Sequence, residues 1–382
     1  MKFKKIFLHI GFDKTGSTAL QKCLKINSDL LLNEEIFYVP TRYSTILGSF
    51  FSTNPKHFIF NKLKRSDLDI DSINYSDKKI MDIFISDLEK SNSQYLIISC
   101  ESLAYLDKLG HKALYSFLKE YSSDIEIICY ARSPVSYVKS AMSQRVKTGF
   151  TSWSLFNIPI IPYKKILTTL FEIYGKNNLT VKIYEVDSLI NKNIIDDFID
   201  TIDLDIKNKL NSNNSELKLI NKSLSNHAIE TGDELIFLLK NRLNKGSDYF
   251  NKIGNKLEDI VGDEIELDNQ KLFLIKMLSR KDTDFLYKSF VISFSDMKLI
   301  NEKKTTNKGS SKKNNKIDAM FFLKKYLPEY NEISYKSSNN RHIIKYFRLL
   351  FNFSSIKLFF GMLTLLIIYR LKLLIVKFNI HK

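Results

Sequence analysis

The residues with the most chemical meaning cluster near the start of the chain, in IFLHIGFDKTGSTALQKCL from Ile6 to Leu24. An apolar run, Ile6-Phe7-Leu8, is broken by His9 and resumed at Ile10. Gly11 and a short polar loop follow, and Gly16-Ser17-Thr18 open a segment in which Leu20, Cys23 and Leu24 recur at helical spacing. The order reads as strand, glycine-rich loop, helix. A helix that begins inside such a loop aims its free N–H groups and the positive end of its dipole at one point, where an anion belongs. Gly11 and Gly16 have the separation found in G-x-x-x-x-G-K-[ST], and Thr18 stands in the Ser/Thr slot. The lysine slot, however, holds Ser17, and the lysine has moved into the loop as Lys14. A lysine at the loop crown lies beside the first phosphate and whatever is bonded to it. That suits a group with one 5′-phosphate and a labile attachment, and suits ATP poorly. The plainer alternative is a glycine-rich turn that binds nothing.

The elements around this loop alternate. Ile36-Phe37-Tyr38-Val39 before Pro40 is a second strand, and residues 41–75, without clear period, are expected to be an irregular excursion. Residues 77–90 read as a helix, Tyr95–Ser99 as a buried strand, 111–121 as a helix and Ile125–Ala131 as a strand. Arg132-Ser133-Pro134 follows, with Pro134 suited to the first turn of a helix running through Ser140 and Gln144. Leu179–Tyr184 is a fifth strand, and Ile194, Ile195, Phe198, Ile199 and Ile202 line one face of a helix after it. Such alternation implies parallel βαβ units, with ligands gathered outside the carboxyl ends of the strands. Gly11–Thr18, Glu101, Arg132 and Tyr184-Glu185 all fall just past such an end. Four polar stations on one edge carry more weight than any one of them.

The order G-x-x-K-T-G-S-T followed by Leu20-Gln21 resembles the 5′-phosphosulfate loop of sulfotransferases that use 3′-phosphoadenosine 5′-phosphosulfate (PAPS), in particular the branch that sulfates carbohydrates, including bacterial surface polysaccharides. The stretch IICYARSPVSYVKSAMSQ resembles the 3′-phosphate motif of the same family, with Arg132 ending a strand and Ser140 eight residues later. A guanidinium gives a charge-assisted, two-pronged grip on a phosphate, and a hydroxyl adds a neutral donor. The bland reading of the pair is an arginine matched to a carboxylate and a serine on a solvated face. The ISCESL segment resembles the family's "SSE" station, which makes Glu101 the candidate general base. A glutamate there needs its pKa lifted by burial. The alternatives for Glu101 are a helix N-terminal acid or a partner for Lys14. His9 is the runner-up as base, although an in-strand histidine is more often a structural hydrogen bonder. Tyr184-Glu185 resembles the family's Tyr-Glu pair near the adenine, and Asn221, Ser223 and Ser225 resemble an N-x-S-x-S segment. Asp13 departs from the pattern, because an acid beside an anion site is unfavourable unless it points away.

The resemblance, which covers residues 5–225, implies a three-layer α/β fold of P-loop NTPase type with a central parallel sheet of about five strands; pattern and charge alone add helical additions and a basic C-terminal tail. The resemblance also implies PAPS as sulfuryl donor without a metal, and a glycan or glycolipid acceptor. The donor-binding set is Lys14, Thr15, Gly16, Ser17, Thr18, Arg132, Ser140 and Tyr184; the catalytic set is Lys14, Glu101 and His9. An ATP-dependent kinase is the first competitor, and a non-enzymatic binder using the basic tail is the second.

Composition sets the remaining bounds. Of the net charge of +16, eight Lys/Arg without an acid lie in residues 341–382, and six Lys without an acid lie in 303–316. The remainder is nearly neutral, which argues against a nucleic-acid surface on the body. Three cysteines without paired spacing argue against a disulfide framework or a zinc site and for a reducing compartment. The start MKFKKIFLHIGF has too short an apolar run for a signal peptide. The expected organisation is a body over 1–302, a flexible Lys-rich linker over 303–316, a last helix of the body within 317–340 and a tail over 341–382. The tail's uncharged run, Leu358–Tyr369, is twelve residues long, short of the about 20 needed to span a bilayer. Its basic flanks suit an interfacial anchor on anionic lipid, hence a cytoplasmic protein peripheral to the membrane. A core helix packed on the domain is the alternative.

Overall fold

The structure is a computed structural model that describes residues 1–153, 158–206, 209–210, 223–242 and 254–297. Residues 1–152, with the described residues from Ile158 onward, belong to one compact unit. Of a second unit, 153–157 with 317–382, only Trp153 is described. The stretch 303–316, the helix expected within 317–340 and the tail 341–382 therefore lie outside the described residues, as does Asn221. No helix among the described residues is long and apolar enough to cross a membrane.

Five short apolar segments form the sheet: β1 (Lys5–His9), β2 (Ile36–Tyr38), β3 (Tyr95–Ser99), β4 (Ile125–Ala131) and β5 (Leu179–Ile183). Their order is β2-β3-β1-β4-β5 and every pairing is parallel, with β1 in the middle between β3 and β4. Parallel strands need crossovers, so both faces of this sheet are covered and its strands read as near-continuous apolar runs. Alternation along β1 divides the core. Ile6, Leu8 and Ile10 point to one face, packed with Leu96, Ile98, Ile127 and Cys129. Phe7 points to the other, beside Leu20, Leu24, Ile128 and Phe198.

Helices α1 (Ser17–Ile26), α2 (Ser28–Asn33) and, much later, α9 (Ile194–Ile202) lie on the Phe7 face. The five apolar residues of α9 named above are all buried there, as their spacing requires. On the Ile6 face lie α3 (Thr41–Phe50), α5 (Ile70–Lys90), α6 (Lys108–Tyr121) and α8 (Tyr163–Tyr174), with α4 (Ile59–Lys64) against α3. Helix, sheet and helix thus make three layers. α7 (Pro134–Lys147) leaves β4 and meets α10 (Asn226–Arg242) and α11 (Asn269–Phe290).

The irregular excursion expected over 41–75 is corrected. It holds α3, α4 and the start of α5, joined by a 3-10 turn at Pro55–His57. Its helices are short and their stability comes from tertiary contacts, chiefly a buried polar knot. Asp77, 1 % exposed, pairs with Arg65 at 2.5 Å, and Asn61 donates to Ser49 Oγ at 2.6 Å. Ser49 in turn donates to Asp77.

Candidate functional site

The loop Gly11–Gly16 leaves the carboxyl end of the central strand and turns directly into α1. Lys14 and Gly16 both have positive φ, +66° and +80°. At Gly16 the backbone is left-handed and a Cβ would come within 3.1 Å of Tyr184 Oη, so glycine is required on both counts. Thr15 Oγ1 donates to the Phe12 carbonyl at 2.6 Å and closes the turn from inside. Phe12 meets Tyr163 edge to face at 4.7 Å, which fixes the loop to α8. The N–H groups of Gly16, Ser17 and Thr18 have no partner among the described residues, as expected of the free first turn of a helix. Ser17 Oγ is also buried; it makes no hydrogen bond of ordinary geometry, although it lies close enough to Glu101 to lower that carboxyl's pKa. Open donors at the first turn of a helix are what an anion would satisfy.

Arg132, just past β4, reaches this loop. Its Nη1 donates to the Lys14 carbonyl, its Nε donates to Ser136 Oγ at 2.9 Å, and its guanidinium lies 5.5 Å from the centre of the Tyr184 ring. Both backbone polar groups of Arg132 are tied to the Tyr163 hydroxyl, which accepts from its N–H and donates to its carbonyl. The arginine is therefore held from two sides. Burial lowers its pKa against the opposing pull of Tyr184, Tyr163 and Asp296; a guanidinium stays a cation. Ser140 is half-buried two turns into α7 and has no hydrogen bond in the described structure, so the serine bound to Arg132 is Ser136 instead.

Lys14 Nζ donates to Gln144 Oε1 at 3.0 Å, an uncharged partner on α7. Burial lowers the Lys14 pKa; Glu101 and Asp13 pull it back up, while Lys147 and Arg132 add to the fall. Glu101 opens a 3-10 turn, Glu101–Tyr105, immediately after β3. Burial pushes its carboxyl above the usual range; Ser17 and Lys14 oppose that and Asp13 reinforces it. Asp13 is raised by burial as well, against the pull of Tyr105 and Lys14. Its Oδ2 accepts from Tyr105 Oη at 2.9 Å, so the acid beside the loop has a hydrogen-bonding partner of its own. His9 is fully buried under the loop, edge-on to Tyr130 and Phe198, with Nδ1 2.8 Å from Ser99 Oγ and Nε2 unpaired. Burial lowers it to about 3, so it is neutral and away from solvent.

Two groups at this edge lie beyond sequence reasoning. Asp296 accepts from Ser133 Oγ at 2.5 Å, and Ser295 approaches Glu185 Oε1 with its N–H at 3.3 Å. Ser133 caps α7 through the N–H groups of Val135 and Ser136, so Asp296 brings a carboxylate to the positive end of α7, beside Arg132. Ser136 could have been found from Arg132 at i+4 spacing. Asp296 lies 163 residues from Ser133, and no local signal points to it. Of the N-x-S-x-S residues, Ser225 accepts from the Ala228 N–H as a helix cap and donates to Ile260 O at 2.8 Å, a structural role.

Among the described residues no three His, Cys, Asp or Glu side chains are grouped to hold a metal ion. Comparison with protein-family models, with curated proteins and with solved structures finds no match to this chain.

Proposed function

We propose that this chain is a PAPS-dependent sulfotransferase on a P-loop-type three-layer fold, moving a sulfuryl group to a hydroxyl of a carbohydrate. The observation that carries the reading is the contact between Arg132 and the Lys14 loop, which brings two cations from different strands to one end of the sheet. A donor with phosphates at both ends of a nucleoside needs such a pair. The open N–H groups at the start of α1 and the buried Ser17 hydroxyl suit its 5′-phosphate. Arg132, with Ser136 and Ser140 on the next helix, suits the 3′-phosphate. Tyr184, held against Gly16 and Arg132, suits the base or ribose.

In the reaction the acceptor oxygen forms a bond to sulfur as the bond from sulfur to the 5′-phosphate oxygen breaks, in line, much as in phosphoryl transfer. The electron pair leaves on that phosphate oxygen, where Lys14 offsets the developing charge. The acceptor hydroxyl gives its proton to Glu101, which burial makes a stronger base than an exposed glutamate. Phosphate is already a good leaving group, so the chemistry asks for no metal. Membrane proximity through residues 341–382, a lipid-carried or surface-polymer acceptor and a cytoplasmic location belong to the same proposal.

The test is formation of 3′-phosphoadenosine 5′-phosphate from PAPS by the full chain, followed by chromatography in the presence of chelator. Turnover that disappears in Lys14→Ala supports the reading. A chain that consumes ATP with magnesium and leaves PAPS intact sinks it.

A further inference from the structure

A groove lies beside the 3-10 turn that follows β3. It is lined by Ser52, Thr53, Asn54, His57, Tyr105 and Asp107 and holds about 290 Å³. That is at the lower end of the roughly 300–1,000 Å³ typical of small-molecule sites, which is room for one small ring and not for a nucleotide.

Its walls are built. The segment after α3 lies against the start of α6 because Gly110 has no side chain; a Cβ there would stand 2.6 Å from the Phe51 carbonyl oxygen. Thr53 Oγ1 donates to Asp107, and Asp107 accepts from the Gly110 N–H at 2.7 Å. Asn61 donates to the Pro55 carbonyl at 2.8 Å and ties down the far end. The groove also adjoins the chemistry. Tyr105 forms its wall, is 38 % exposed, and donates its hydroxyl to Asp13, the neighbour of Lys14. One hydrogen bond thus separates the groove from the loop.

The lining chooses a ligand class. A partly exposed aromatic ring suits the C–H face of a pyranose, and the exposed Asn54 and His57 suit its hydroxyls. The fixed charge is negative. Burial pushes the Asp107 carboxyl up, but bonds from Thr53 and the Gly110 N–H outweigh it and hold the group below the usual range, ionised. An acidic sugar would meet that carboxylate, so the lining disfavours uronic acids and sugars already sulfated.

Resting on the sulfotransferase reading, we infer that this groove is the acceptor subsite and seats an uncharged pyranose ring beside the loop. The test titrates methyl glucoside, methyl galactoside, methyl N-acetylglucosaminide and methyl glucuronide into the full chain, with and without 3′-phosphoadenosine 5′-phosphate, by saturation-transfer magnetic resonance. At least one neutral glycoside binds and the glucuronide binds more weakly. Asn54→Ala and His57→Ala, both at exposed positions, each weaken that binding roughly 5- to 10-fold, the scale of one lost hydrogen bond, and leave nucleotide affinity in place. Neutral glycosides that bind nowhere, or bind both variants as tightly as the wild type, overturn the subsite. Sugar binding that responds to both substitutions in a chain that fails to bind the nucleotide would uphold the groove and sink only the donor assignment.

Discussion

Arg132 Nη1 donates to the backbone carbonyl of Lys14, although 118 residues separate them. The bond joins the loop after the central strand to the end of its neighbour, so the guanidinium is tied to the loop that carries Lys14. A guanidinium that holds the loop has a structural task, and the proposed function gives it a ligand-binding task as well.

Arg132→Lys separates those tasks. The ammonium keeps the charge but cannot reach the Lys14 carbonyl, Ser136 and a phosphate together. Affinity for 3′-phosphoadenosine 5′-phosphate should fall roughly 10- to 100-fold, the scale of hydrogen bonds to a charged group. Calorimetry reads the affinity; an unchanged value would leave Arg132 with the loop-holding task alone.

Lys14 has a different expected signature. Its partner is the neutral Gln144, so its charge is available to a ligand. Lys14→Ala should lower the rate on the order of 10²–10³, as loss of an oxyanion donor does, with a smaller effect on nucleotide affinity. Single-turnover kinetics at saturating PAPS isolates the rate, and a loss confined to binding would contradict a role in leaving-group stabilisation.

The two carboxyls beside Lys14 predict opposite pH effects on rate and stability. Glu101 must be ionised to act as base, so turnover should rise as pH passes through its elevated pKa, and Glu101→Gln should abolish that limb. Stability runs the other way. Where the folded pKa is raised, the native state holds a proton that the unfolded chain has released. The stability from these groups is full below the ordinary carboxylate pKa of about 4 and is lost as pH rises through the folded value. Asp13→Asn removes that loss, so its melting temperature should exceed the wild type's at neutral pH and converge with it near about pH 4. A variant destabilised equally at both pH values would contradict this.

Asp296 competes with any phosphate near Arg132, since its carboxylate already lies against Ser133 at the head of α7. Asp296→Asn keeps the hydrogen bond and deletes the charge, and should tighten nucleotide binding several-fold at low salt, less at high salt. Weaker binding would mean that the carboxylate organises the site instead of opposing its ligand.

Much of this architecture was legible from residue order. The strands stood out because buried parallel strands are short uninterrupted apolar runs, and the loop because Gly11, Lys14 and Gly16 have few other uses at that spacing. The parallel sheet and the polar stations at its carboxyl ends followed from alternation. The helices α3 and α4 were missed because Gly48, serines and β-branched residues blur their period, and what holds them is the Asp77–Arg65 pair with Ser49 and Asn61. Position within the sheet, with β2 at one edge and β1 at the centre, is set by crossovers that leave no trace in any single segment. Asp296 reaches Ser133 because α11 packs on α7 and α8 and the turn after it meets α7, a tertiary fact with no local pattern.

The central claim is that one end of this sheet grips a nucleoside carrying phosphates at both its 5′ and 3′ positions. Calorimetric titration of the full chain with 3′-phosphoadenosine 5′-phosphate and with AMP, each with and without Mg²⁺, tests it most directly. The account predicts much tighter binding of the doubly phosphorylated compound and indifference to the metal. Equal affinity for the two nucleotides would contradict it.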